Sequence, residues 1–112
     1  MKDSLNYIKH IQEAIEQIES YLGDCDFKAF SGSPMLFDAT IRELEIIGEA
    51  ANRITEEFQK KHSGVPWRKV IGMRNKLIHE YFEVNKKVVW LTCKEDLPEL
   101  KKIVLQIISE SE

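Results

Sequence analysis

A chain of 112 residues, 43% apolar and 31% charged, has room for one folded domain with one modest core and no second domain. Its formal charge of −3 excludes a uniformly basic nucleic-acid binder, and no run approaches the ~18 apolar residues of a membrane span. Cys25 and Cys93 have neither a CxxC partner nor a His at zinc spacing, so no metal or other cofactor is expected and both are read as free thiols of a reducing, cytoplasmic compartment.

In the opening stretch MKDSLNYIKHIQEAIEQ there is no apolar signal core. Leu5, Ile8, Ile11, Ile15, Ile18 and Leu22 recur at three and four, which predicts a first helix, and Gly23 is placed to end it. GDCDFKAFSGS reads as a connection with one short turn around Phe27 and Phe30. Ser33 followed by Pro34 reads as an N-cap and first-turn proline. The second helix is expected from Pro34 to about Lys61, with Ile41, Leu44, Gly48, Ala51, Thr55 and Phe58 as its stripe. Gly48 costs roughly 1 kcal/mol against Ala in a helix interior, so its presence predicts close approach of another helix. Packing inside the bundle and a subunit interface explain it equally well.

Pro66 opens a third helix carrying Trp67, Val70, Ile71, Leu77, Ile78 and Tyr81 to about Phe82. Asn85 is placed to cap a short fourth helix with Val88, Val89 and Leu91, and Asp96 and Pro98 begin a last one bearing Leu97, Leu100, Ile103, Val104, Ile107 and Ile108. No segment alternates at period two. The expected fold is an all-α antiparallel bundle of four to five helices, a single domain over residues 1–112.

Charge is uneven along this frame. Val65 to Trp90 holds six basic residues (Arg68, Lys69, Arg74, Lys76, Lys86, Lys87) against Glu80 and Glu83, so the segment is +4 and the remainder −7. Such a patch suits phosphates and equally suits a solvated helix face.

The third helix holds the polar residues that its apolar company does not explain: MRNKLIHEYF, residues 73–82. Arg74 falls on the apolar stripe, so it must pair with an acid, reach out along its stem or face a cleft. Tyr81, seven residues on, shares that face on an ideal helix. Asn75 and His79, four apart, share the neighbouring one. Arg74 and His79 diverge by about 140°, so one straight helix does not bring them together. Histidine moves protons near neutral pH and arginine holds phosphates bidentately, a pair suited to cleaving a phosphodiester beside a 2′-hydroxyl without metal. One motif histidine per chain is one proton-transfer group short, and a symmetric dimer supplies the second. The same residues also suit a non-catalytic helix that binds phosphate or satisfies the fold.

MRNKLIHEYF resembles the signature of the HEPN-domain ribonuclease toxins: Arg, a polar residue, three more, His, one residue, Tyr. The segments IRELEIIGEAANRI, VPWRKVIGMRN, LIHEYF and EDLPELKKI are similar, in order, to those of the HepT group. The resemblance implies a dimeric HEPN-type bundle, metal-independent endoribonuclease activity and the toxin role in a type VII toxin–antitoxin system. Carried over residue by residue, it implies Arg74 and His79 as catalytic, Asn75 as phosphate-orienting and Tyr81 as adenylylated by an MntA-type nucleotidyltransferase antitoxin. Arg68, Lys69, Lys76, Lys86 and Lys87 would then meet RNA. The alternative is a non-catalytic helical partner protein that binds nucleotide or a neighbouring nucleotidyltransferase.

Overall fold

A computed structural model of the chain describes residues 2–111, and among them the structure is helical with no strand. Helix α1 runs Lys2–Leu22, α2 Phe27–Ser31, α3 Pro34–Arg53, α4 Glu56–Lys61, α5 Trp67–His79, α6 Lys86–Leu91 and α7 Leu97–Ser111. Helix α3 is the centre: it packs against α1 on one side and α5 on the other, while α7 lies against α1. The first-helix stripe is the core's largest block, with Ile8, Ile11, Ile15 and Ile18 essentially inaccessible, facing Leu44, Ile47 and Ala51 of α3 and Val104 of α7. No helix is long and apolar enough to cross a membrane.

Local chemistry sets the ends. Gly23 takes φ +50°, the left-handed conformation that terminates α1, and its N–H reaches Glu19 O. The Asp26 carboxylate accepts from Ala29 N at the start of α2. Ser33 Oγ accepts from Leu36 N, and Pro34 fills the first turn of α3 as expected. Asn85 Oδ1 accepts from Lys87 N and Val88 N, capping α6.

Three expectations need correction. The second helix does not run unbroken to Lys61. It stops at Arg53, Thr55 turns extended (φ −63°, ψ 151°), and the Thr55 hydroxyl caps α4 by accepting from Phe58 N. The break is stabilised on both sides. Gln59 Nε2 donates to Ala51 O and Ile54 O, and Ser4 Oγ, buried in α1, accepts from Thr55 N. Thr55 is therefore exposed rather than part of the stripe. The third helix ends at His79, not Phe82, and Tyr81–Glu83 form a separate 3₁₀ turn. Asp96 is no N-cap, because α6 passes into α7 through a π-helical turn, Thr92–Asp96, with α-like backbone at Leu91, Thr92 and Leu97.

Candidate active site

Gly48 and Arg74 meet where α3 crosses α5. A Cβ built on Gly48 would lie 2.0 Å from Arg74 Cβ and 2.8 Å from Arg74 Cγ. Of the two explanations left open by the sequence, the structure shows packing inside the bundle: glycine lets the arginine stem pass against the α3 backbone. The stem buries Arg74 Nε, which has no hydrogen-bond partner among the described residues. The guanidinium end reaches out, and the side chain stays 28% exposed.

Two neighbours hold that end. Arg74 Nη2 lies 2.8 Å from Glu49 Oε2, and Arg74 Nη1 donates to Asn75 Oδ1 at 2.9 Å. The other oxygen of Glu49 accepts from Arg53 Nε at 2.9 Å. Glu49, and after it Tyr7, hold the Arg53 charge more firmly than usual. Because the Arg74–Glu49 pair is partly solvated, it contributes only about 0–1 kcal/mol to stability. Its clearer effect is to fix a guanidinium that would otherwise sweep a wide arc.

Arg74 opens onto a groove of 370 Å³ between α1, α3 and α5, walled by Tyr7, His10, Arg42, Glu45, Glu49, Arg53 and Ile78 among others. His79 does not line it. The imidazole stands exposed on the last residue of α5 with no hydrogen bond among the described residues, as the divergence of the two positions on the helix predicts. Tyr81 does not continue the Arg74 face. It sits on the 3₁₀ turn, 40% exposed, and its hydroxyl donates to Asp38 Oδ1 of α3. That hydrogen bond foremost, then partial burial and the nearby Glu45, push the Tyr81 phenol above its ordinary value. Beside it Phe82 is 99% exposed, in edge contact with the Tyr81 ring, and Met35 and Ile78 are exposed as well.

The five basic residues expected to meet RNA do not line the Arg74 groove. Lys69 and Lys76 line a second groove of 480 Å³, largely apolar, between α5 and the α6–α7 helix, and Lys69 pairs with Asp96 at 3.3 Å. Lys86 donates to Ser31 O at 3.0 Å, Lys87 lies 4.5 Å over the Phe27 ring, and Arg68 is exposed on α5. Among the described residues no group of three or more His, Cys, Asp or Glu could hold a metal ion.

Sequence reading missed four participants. Glu49 left a partial trace, its spacing of four from Arg53, which marks a helix-surface pair but not the reach to Arg74. Asp38 left none, being 43 residues from Tyr81. His10 and Arg42 were hidden as ordinary polar positions of α1 and α3.

Comparison with known proteins places the chain in a family. A family model described as "Ribonuclease HepT-like" matches residues 11–107. A protein of Caldanaerobacter subterraneus subsp. tengcongensis named "Putative RNase" is 43% identical over 110 residues, 98% of each chain. A "Probable ribonuclease HepT" of Thermococcus cleftensis is 46% identical over 96 residues, 86% of this chain and 87% of that one. A further "Putative RNase", from Methanocaldococcus jannaschii, is 38% identical over 103 residues, covering 92% and 94%. No solved structure gives a significant match. A chain matched by such a model over residues 11–107, most of its length, belongs to the HepT-like ribonuclease family.

Proposed function

We propose that the chain is the toxin of a type VII toxin–antitoxin pair, a metal-independent RNA endonuclease acting as a homodimer. The observation that carries this reading is the Arg74 guanidinium, steered by Glu49 and Asn75 to the mouth of a groove instead of being folded into the core. Arg74 would stabilise charge developing on the scissile phosphate, an effect of about 3 kcal/mol for one such donor. His79 would serve as general base on the 2′-hydroxyl or general acid for the leaving oxygen. Asn75 would orient Arg74 or the phosphate. Arg68, Lys69, Lys76, Lys86 and Lys87 would guide RNA by charge.

Two features support the dimer. His79 is displaced from the groove of its own Arg74, so a site that joins the two motif residues calls for a second chain. The exposed Ile78, Tyr81 and Phe82 lie in the C-terminal half of the motif, and large apolar side chains bunched in sequence at one exposed end mark an interaction surface. Light scattering at micromolar concentration should give twice the 13.1 kDa chain mass. Control would fall to an MntA-type nucleotidyltransferase antitoxin that adenylylates Tyr81, adding a phosphodiester anion beside the motif and repelling RNA.

The test is cleavage of RNA by the purified chain in EDTA. Products ending in 2′,3′-cyclic phosphate, lost in Arg74→Ala and His79→Ala, support the mechanism. Cleavage of a substrate lacking the scissile 2′-hydroxyl would refute it. A non-catalytic partner protein remains the second reading, favoured by one observation: Glu49 already neutralises Arg74 within the fold. It predicts no cleavage and no growth arrest on expression of the chain alone.

A further inference from the structure

We propose that Asp38 is the proton acceptor when the Tyr81 hydroxyl takes up AMP, so that the chain carries part of the catalytic apparatus for its own inactivation. This rests on the adenylylation of Tyr81 proposed above. The hydroxyl is already aligned for it. Tyr81 O–H donates to Asp38 Oδ1, which places the proton on the line between the two oxygens and leaves the remaining lone pairs of the phenolic oxygen free for an incoming phosphorus. Asp38 is exposed and makes no ion pair among the described residues, so its charge is not committed elsewhere. The phenol resists ionising at rest, which favours removing its proton as the new bond forms.

The step balances. Tyr81 Oη attacks the α-phosphorus of ATP held by the nucleotidyltransferase. The Oη–P bond forms and the bond from that phosphorus to the bridging oxygen breaks. Pyrophosphate leaves with the electron pair, and the phenolic proton passes to the Asp38 carboxylate and then to water.

Selectivity among tyrosines follows from the same contact. Neither Tyr7 nor Tyr21 donates its hydroxyl to a carboxylate among the described residues. Tyr81 alone there has a base in place.

Substitution can separate proton transfer from mere positioning. Asp38→Asn keeps an acceptor oxygen for the Tyr81 O–H but cannot take its proton, whereas Asp38→Glu keeps a carboxylate on a longer stem. The chain is incubated with its nucleotidyltransferase, ATP and magnesium, and AMP uptake is followed by intact mass over a range of chain concentrations. The expected result for Asp38→Asn is a maximal transfer rate lower by about 100-fold, the low end for a positioned base, with half-saturation unchanged. Asp38→Glu should recover part of the rate, and unmodified Asp38→Asn should still cleave RNA. Wild-type modification at Tyr81 with an equal maximal rate in Asp38→Asn overturns the role of Asp38 alone. A wild-type chain that carries no AMP on Tyr81 overturns the modification reading, and this inference with it.

Discussion

Gly48→Ala tests whether the α3–α5 crossing exists to place Arg74. The added methyl carbon would stand 2.0 Å from Arg74 Cβ and 2.8 Å from its Cγ, where carbon atoms ordinarily rest about 3.5–4.0 Å apart. Nearly 2 Å of clearance is missing at the first of these contacts, roughly the difference between those distances. Arg74 Cβ is fixed by the backbone, so no rotamer change relieves the shorter contact and the helices must separate. Overpacking of this kind costs about 1–3 kcal/mol. Ala gains about 1 kcal/mol over Gly in a helix interior, which offsets part of it. The sign is decided by the depth of the overlap, and a net loss of about 1–2 kcal/mol is expected, from the upper part of the overpacking range. For a domain of this size that lowers Tm by about 4 °C per kcal/mol. The catalytic effect should be larger, because a guanidinium moved by about 1 Å loses on the order of 100-fold in rate. Thermal melting followed by circular dichroism and single-turnover RNA cleavage read the two effects on the same sample. A Tm raised by the full helix-propensity gain, with cleavage unchanged, would refute the close-approach argument.

Glu49→Gln should release the Arg74 guanidinium, so RNA binding tightens slightly while the cleavage rate falls about 10-fold, within the range for a misplaced charge stabiliser; a rate unchanged from wild type would leave Glu49 no positioning role. Cys93, 7% exposed and pushed up to about 12 by burial, should resist a thiol reagent at pH 8 in the native protein while half-buried Cys25 reacts; two equally fast thiols would contradict this. Tyr81 keeps its proton more firmly folded than unfolded, so its stabilising contribution is complete below the ordinary phenol value of 10.0 and fades as pH rises through the higher folded value. Ultraviolet titration should show one late-ionising tyrosine that Tyr81→Phe and Asp38→Ala each abolish. Neutralising Lys69 and Lys76 together should weaken RNA binding and reduce the salt slope by about 2 if both meet phosphate.

Most of the capping chemistry was legible because it is local, Asp96 in the π turn being the exception. Ser33–Pro34, Gly23 and Asn85 each act within a turn of their own position, and each acts as the sequence indicates. The break at Thr55 was not, because the apolar spacing runs through it unchanged. Its stabilising partner Ser4 is 51 residues away, and the Gln59 amide becomes a cap only once the turn has formed. The site divides the same way. That Arg74 needed an acid or a cleft follows from its place on the stripe, and the structure supplies both. Which acid it meets depends on how α3 rotates against α5, a property of packing. Tyr81 was misplaced because an ideal helix was extended past His79, where the chain tightens into a 3₁₀ turn.

The π turn at Thr92–Asp96 has a consequence for chain length. Val89, Cys93 and Leu97 are all buried, four residues apart each time. On an ordinary α-helix eight residues drift about 80°, which would swing Val89 away from the face that Leu97 presents. The wider turn absorbs much of that drift. Deleting one residue within it would restore regular hydrogen bonding and make the helix more ideal. It would also turn everything before the deletion by about 100°, carrying Val89 out of the core and Trp90 off the Phe27 and Phe30 rings it now meets. A shorter and locally better helix would thus belong to a less stable protein.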